Sequence, residues 1–161
     1  MNTVQMELDT IGYAYLRQRS IESAKEVFGT LGVIFHQTDV KIDLTTRALV
    51  TSDCALDIHT DHHQARYIAW YCVRQSSQGG DSILLDSAKV LVNFNPEELA
   101  VLEKIMLFEH KIFKGDMEVY PLLSYVNQIP KIYYSFWMVN EDDKKIREFI
   151  KFKRLIDCKR P

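Results

Sequence analysis

The sequence lacks the features that mark membrane, secreted and nucleic-acid-binding proteins. No apolar run approaches the ~20 residues needed to cross a bilayer. The N-terminus has no basic segment followed by an apolar stretch, which is the pattern of a signal peptide. Basic residues are not in excess, because 20 lysines and arginines stand against 22 acidic residues, so little charge is available to neutralise phosphates. We therefore expect a cytoplasmic protein that binds neither membrane nor nucleic acid.

Cysteine is scarce, and internal repeats and low-complexity linkers are absent. Cys54, Cys72 and Cys158 form no CxxC pair and their number is odd, which argues against a disulfide framework or a structural zinc site. We expect all three to be buried free thiols. The length of 161 residues and the hydrophobic content of 47% suit one globular domain over residues 1–161.

Three segments carry helical signals. Residues 20–32 begin with a serine, continue with apolar residues at helical spacing and end in a glycine. Residues 95–98 read Asn-Pro-Glu-Glu, which is the pattern of a capping box with proline at the first helical position. Asn140 is placed to cap a C-terminal helix. We expect the buried side of that helix to include Ile146, Phe149 and Ile150.

The remaining apolar segments are short and rich in β-branched and aromatic residues, which is typical of strands. The predicted strands are residues 11–16, 33–43, 66–73, 83–86, 117–126 and 130–139. The segment 66–73 is almost continuously apolar, so we expect it to be buried on both faces. The aromatic residues of these strands should lie mostly in the core, with one or two lining a pocket. They are Trp70, Tyr71, Tyr133, Tyr134, Phe136 and Trp137.

The tripeptide His59-Thr60-Asp61 carries the most specific chemistry in the sequence. On a strand, side chains two positions apart share a face, so His59 and Asp61 would project together. An imidazole nitrogen and a carboxylate oxygen are two of the three ligands of the 2-His-1-carboxylate facial triad, which leaves coordination positions open for substrate and oxygen. A His-Asp pair is also a common surface hydrogen bond, so the tripeptide alone leaves both interpretations open.

A longer pattern surrounds the tripeptide. The motif at 59–61 is followed by the apolar segment 67–73, by the turn Gly79-Gly80-Asp81-Ser82 and by an apolar segment that ends in an aspartate. Further on, Tyr120-Pro121-Leu122-Leu123 precedes the sequence IPKIYYS. In this order the elements resemble the taurine dioxygenase/clavaminate synthase-like family of Fe(II)/2-oxoglutarate-dependent oxygenases. The resemblance covers about two thirds of the chain, residues 30–139.

The resemblance implies a mainly β fold, a double-stranded β-helix (jelly roll) with flanking helices. It implies that His59 and Asp61 bind Fe(II), and that Ser82 stands where the family often places a threonine that contacts the 2-oxoglutarate carboxylate. The implied activity is hydroxylation or desaturation of a small molecule, such as an amino acid or a specialised-metabolite intermediate, with 2-oxoglutarate as cosubstrate. The expected partner is that small-molecule substrate, and self-association of the chain is left open.

Two residues of the family pattern have no counterpart. These are the second histidine ligand and an arginine beyond it that pairs with the far carboxylate of 2-oxoglutarate, since no histidine follows His110. Three explanations are open. The chain is truncated before the strand that carries the missing histidine, a histidine such as His110 or His63 completes the site, or the site has lost the ability to bind iron. Truncation is favoured because the match ends just before the missing strand. The rival functions are a non-catalytic jelly-roll binding or scaffold protein, and a zinc hydrolase that uses the HTDHH cluster.

Overall fold

A computed structural model describes residues 3–17, 19–41, 45, 54–108 and 119–158 of the chain. Its α-helices are α1 (Thr3–Ile11), α2 (Ile21–Leu31), α3 (Ala88–Leu91), α4 (Pro96–Leu102) and α5 (Arg147–Asp157). Two short 3-10 helices cover Phe136–Met138 and Asp143–Lys145. Within the described ranges more residues lie in helices than in strands.

The β-structure of the described residues consists of two separate two-stranded antiparallel sheets. One sheet pairs β1 (Met106–Leu107) with β2 (Tyr120–Pro121), and the other pairs β3 (Leu123–Val126) with β4 (Ile129–Ile132). Asn127 and Gln128 join β3 to β4, and their φ angles are 51° and 66°. Two successive residues with positive φ are what a type I′ hairpin turn requires.

The prediction of a jelly roll is wrong. A jelly roll stacks two sheets of several strands each, whereas the described residues form a small mixed α/β structure with two short sheets. No strand is present at 11–16, 66–73 or 83–86, nor in the described part of 33–43. Among the described residues, the backbones of these segments have no ladder partner. An apolar, β-branched composition suits a strand, but a strand forms only where a neighbouring segment completes its hydrogen bonds.

Burial also departs from the sequence predictions in two places. The segment 66–73 was expected to be buried on both faces, yet Trp70 is 64% exposed and Val73 is 85% exposed. The three cysteines are free, as predicted, but all three are exposed rather than buried. Residue type alone therefore did not predict the burial of these apolar and thiol side chains.

The helix signals at α2 and α4 are confirmed. Ser20 caps α2, because its hydroxyl accepts a hydrogen bond from the backbone N–H of Ser23 at 3.2 Å. In α4 the Asn95 side chain accepts from the N–H of Glu98 at 2.8 Å, and the Glu98 carboxylate accepts from the N–H of Asn95 at 3.0 Å. Pro96 occupies the first helical position. These are the reciprocal bonds of a capping box.

The last two predicted strands are confirmed only in part. Strands β2 and β3 lie within the predicted segment 117–126, of which residues 117 and 118 fall outside the described residues. Strand β4 covers the start of the segment 130–139, but the same segment ends in the 3-10 helix Phe136–Met138. Tyr134 before the 3-10 helix and Met138 at its end are buried in the core, whereas Trp137 between them is exposed.

The core is organised by the inner face of α5. Phe149, Phe152 and Ile156 follow each other at intervals of three and four residues, which puts them on one side of the helix, and all three are buried. The ring of Tyr134 lies 5.2 Å from that of Phe152 and 6.3 Å from that of Phe149. Ile150 was predicted on the buried side and is exposed. The other buried members of this core are Val90, Leu91, Phe94, Leu102, Ile105, Leu107, Leu122, Leu123, Tyr133, Met138 and Val139.

An ion pair joins α4 to α5 and makes the stability of the core depend on pH. Lys151 Nζ lies 2.8 Å and 2.9 Å from the two carboxylate oxygens of Glu98. The ammonium of Lys151, helped by the backbone N–H of Asn95, lowers the pKa of Glu98. Because the pKa of the folded state is the lower one, the stabilisation is present above the ordinary carboxyl value of 4.5 and is lost as pH falls through the lowered pKa.

We therefore expect Glu98→Gln to be less stable than the unmodified chain near neutral pH, and the difference to vanish in acid. Glutamine keeps the acceptor of the capping box but loses the charge that pairs with Lys151. Thermal unfolding followed by circular dichroism from neutral to acid pH measures this. Glu97→Gln, at a neighbouring exposed position of the same helix, is the control. A stability difference of the same size at every pH would contradict the assignment.

Candidate metal-binding site

Thr60 holds the motif segment against the core. Its backbone N–H donates to the Tyr134 carbonyl oxygen at 2.7 Å, and the N–H of Tyr134 donates to Thr60 Oγ1 at 2.8 Å. The Thr60 hydroxyl also donates to the Tyr134 carbonyl at 3.3 Å. Tyr134 is buried and its ring contacts that of Phe152 on α5, so these bonds attach the centre of the motif to the buried core. The side chains of His59 and Asp61, on either side of Thr60, stay 21% and 38% exposed.

His59 and Asp61 are brought together, as the sequence predicted. His59 Nε2 lies 3.3 Å from Asp61 Oδ1, although the segment is not a strand. The other ring nitrogen, Nδ1, lies 2.7 Å from the carbonyl oxygen of Asp57. A carbonyl can only accept, so Nδ1 carries a hydrogen and Nε2 is the nitrogen that faces the carboxylate.

The carboxylate of Asp61 changes the acidity of the histidine. Its hydrogen bond raises the pKa of His59, and the Asp57 carbonyl adds to the rise, while partial burial opposes it. The neighbouring carboxylate thus favours the protonated form of the His59 imidazole.

The two donor atoms fit ligands of a single metal ion. With metal–ligand bonds of about 2.1 Å, an N···O separation of 3.3 Å corresponds to an angle of about 100° at the metal. The bond from Nδ1 to the Asp57 carbonyl is the outer-shell contact that fixes the tautomer and ring orientation of a metal-binding histidine. Within the ranges that the structure describes, no group of three His, Cys, Asp or Glu side chains is arranged to hold a metal. In that part of the chain the candidate site thus offers two side-chain donors, His59 Nε2 and Asp61 Oδ1.

The other candidate histidines lie elsewhere or outside the described residues. The ring of His63 is buried and stacks on Tyr120 at 3.6 Å, with the ring of His62 at 4.5 Å. The Lys131 ammonium donates to the backbone carbonyl of His63. These contacts make His63 part of an aromatic stack with Tyr120 and His62. His110, the other proposed substitute ligand, is not among the described residues.

Ser82 is not joined to the pair. It is exposed, and no hydrogen bond or ion pair links it to His59 or Asp61 among the residues described. The turn that precedes it is confirmed, since Gly79 and Gly80 have φ angles of 68° and 77°, in the left-handed region that favours glycine. The contact of Ser82 with 2-oxoglutarate therefore stays a prediction.

Trp137 is a neighbour of the pair that the sequence did not single out. Its ring centroid lies 5.7 Å from that of His59, with the planes inclined by 49°. The sequence placed it on a strand with other aromatic residues, of which one or two were expected to line a pocket. Trp137 instead reaches His59 from the 3-10 helix Phe136–Met138, which no strand periodicity predicts.

Comparison with known proteins identifies no relative, because no family model, curated protein or solved structure matches the chain. The likeness to the 2-oxoglutarate oxygenases is thus carried by the motif residues alone. Of the helices in the described ranges, none combines the length and the apolar character that a membrane crossing requires.

We expect removal of the Thr60 hydroxyl to loosen the motif from the core. In Thr60→Val the buried N–H of Tyr134 loses this acceptor, which should lower the free energy of unfolding by about 1–3 kcal/mol. Thr60→Ser keeps the hydroxyl and should remain close to the unmodified chain. Urea unfolding of the three proteins measures the effect, and equal losses in the valine and serine variants would refute the role of the hydroxyl.

We expect Asp61→Asn to lower the pKa of His59, because the largest cause of its rise is removed. Proton NMR of the imidazole in chelator-treated protein measures the titration, with Asp39→Asn, at an exposed position of another segment, as the control. The histidine pKa is the higher one in the folded state. The stability difference between Asp61→Asn and the unmodified chain should therefore be complete below the ordinary histidine value of 6.5 and disappear as pH rises through the raised pKa. An unchanged His59 titration would show that the ion pair does not form in solution.

Proposed function

We propose that this chain carries a mononuclear Fe(II) site on His59 and Asp61 and acts in the 2-oxoglutarate-dependent oxidation of a small molecule. The observation that supports the proposal is the 3.3 Å approach of His59 Nε2 to Asp61 Oδ1, with Nδ1 held by the Asp57 carbonyl. An imidazole nitrogen and a carboxylate oxygen, here from residues two positions apart, are two of the three ligands in the facial triad of non-haem Fe(II) oxygenases. The surrounding GGDS turn and the IPKIYYS segment add the family resemblance.

Each residue of the site has a defined task in this proposal. His59 presents the lone pair of Nε2, and the Asp57 carbonyl keeps that nitrogen free of a proton when the metal is bound. Asp61 supplies one negative charge against the two positive charges of the ion. Thr60 prevents the two ligands from separating, because its bonds to Tyr134 fix the backbone between them. Fe(II), when bound, supplies the capacity to activate oxygen with 2-oxoglutarate as cosubstrate.

Fe(II) held by only two protein ligands would bind weakly unless water, the cosubstrate or a further protein ligand also contributed. Ser82 is the residue we propose for contact with the 2-oxoglutarate carboxylate. The presence of Asp61 favours hydroxylation or desaturation over halogenation, because halogenases of this type have a small residue in place of the carboxylate. The free and exposed thiols of Cys54, Cys72 and Cys158 suit a reducing compartment, and we propose the cytoplasm.

The proposal is tested by anaerobic titration with Fe(II) and 2-oxoglutarate. We expect binding of one Fe(II) per chain, a weak visible charge-transfer band when 2-oxoglutarate is added, and succinate formation after oxygen is admitted. His59→Ala and Asp61→Ala should lose the band and the succinate. His36→Ala, at an exposed histidine of another segment, should retain both.

The possible outcomes separate the rival functions. Failure to bind Fe(II) would refute the proposal and favour a binding or scaffold role. Stoichiometric iron without succinate would refute the oxygenase activity but leave the metal site in place. Activity that requires zinc and is indifferent to 2-oxoglutarate would indicate a hydrolase instead.

A further inference from the structure

Trp137 contacts the candidate metal ligand without belonging to the core. A ring separation of 5.7 Å lies within the range of aromatic pairs that attract each other. Trp137 is 47% exposed, while Met138, the next residue of the same 3-10 helix, is buried. Half of the indole therefore remains in solvent next to two polar side chains, where burial of apolar surface gives only part of the usual stabilisation.

One short stretch of chain holds the motif at two points. Tyr134 binds the backbone and hydroxyl of Thr60. Three residues later, Trp137 reaches the ring of His59. The turn of the 3-10 helix Phe136–Met138 directs Phe136 towards the core cluster and leaves Trp137 on the side of the motif.

The two contacts on the His59 ring restrict different motions. The hydrogen bond from Nδ1 to the Asp57 carbonyl fixes which edge of the ring faces the backbone. The contact with Trp137 packs an indole beside the ring and so restricts its rotation. A metal ion withdraws electrons from the imidazole it binds, and the electron-rich indole attracts such a positively polarised ring more strongly than a neutral one. Both contacts therefore favour the ring orientation of a metal-bound histidine. The indole also stabilises the partial positive charge that a bound metal would place on the imidazole.

We infer that Trp137 is a positioning residue for His59 and forms an aromatic wall beside the metal. The inference rests on the proposed function, because it requires a metal on His59 and Asp61. It adds a residue to the site that is neither a proposed ligand nor one of the motif residues on which the resemblance rests.

The chain contains two tryptophans, which makes the inference directly measurable. Trp70 lies on the exposed segment 66–73, and among the described residues no ring contact joins it to His59. In Trp70→Phe only Trp137 emits, and in Trp137→Phe only Trp70 emits. Co(II) is the probe, because it is paramagnetic, quenches nearby indole emission and is stable in air.

We expect Co(II) to quench the emission of Trp70→Phe much more than that of Trp137→Phe. The quenching should disappear when His59→Ala is added to Trp70→Phe. Trp137→Ala should weaken Co(II) binding about tenfold, the scale of an outer-shell change at a metal site. Trp137→Phe keeps an aromatic ring beside His59 and should recover most of that affinity. Thermal unfolding of each variant verifies that a half-exposed side chain has been changed without loss of the fold.

Each result has a distinct meaning. Equal quenching of the two tryptophans, or Co(II) affinity unchanged in Trp137→Ala, would overturn the role of Trp137 and leave the proposed function standing. Failure of the unmodified chain to bind Co(II) or Fe(II) would overturn the proposed function, and the role of Trp137 with it. Loss of affinity in Trp137→Ala together with a lowered unfolding temperature, and no recovery in Trp137→Phe, would assign Trp137 a structural role only.

Discussion

The hydrogen bonds between Thr60 and the backbone of Tyr134 connect the His59–Asp61 pair, the candidate metal site, to the core of the protein. They join residues 74 positions apart, so they close a long loop and must be supported by interactions elsewhere. That support comes from the ring of Tyr134, which is buried against Phe149 and Phe152. Without the anchored threonine, His59 and Asp61 would lie on an irregular segment with no sheet to hold them, because the segment belongs to no ladder among the described residues.

The core that provides this anchor is drawn from the second half of the chain. Its buried members lie between residues 90 and 156, with Ile58 and Leu85 packed against them from the earlier part. Helices α1 and α2 contribute no member to that cluster. In α1 the Gln5 Nε2 donates to the Tyr67 hydroxyl, and ahead of α2 the carbonyl of Arg19 accepts from the Tyr71 hydroxyl, each at 3.0 Å. A single hydrogen bond of this kind contributes far less than the aromatic packing around α5.

Local signals were predictable from the sequence, whereas pairing between distant segments was not. The Asn95 capping box and the Ser20 cap depend on residues within three positions of each other, and both are confirmed. The juxtaposition of His59 and Asp61 is equally local. The jelly-roll prediction required other strands to pair with the apolar segments 66–73 and 83–86. Composition carries no information about which backbone segment will complete the hydrogen bonds of a strand. Trp137 was predictable only in part. Its aromatic type indicated a core or pocket residue, but its contact with His59 follows from a 3-10 turn, which neither the strand period of two residues nor the helix period of 3.6 residues predicts.

The absence of a jelly roll from the described residues leaves the proposed metal site physically possible, because the approach of His59 to Asp61 does not require that fold. A facial metal site requires donor atoms held at nearly the right separation before the metal arrives, so that little conformational entropy is lost on binding. Here the separation is set within three consecutive residues and by two outside restraints, the Asp57 carbonyl on the histidine and Tyr134 on the threonine. The first restraint is local and the second rests on the aromatic core. The packing of Tyr134 on α5, rather than a β-scaffold, therefore supports the backbone between the two candidate donor residues.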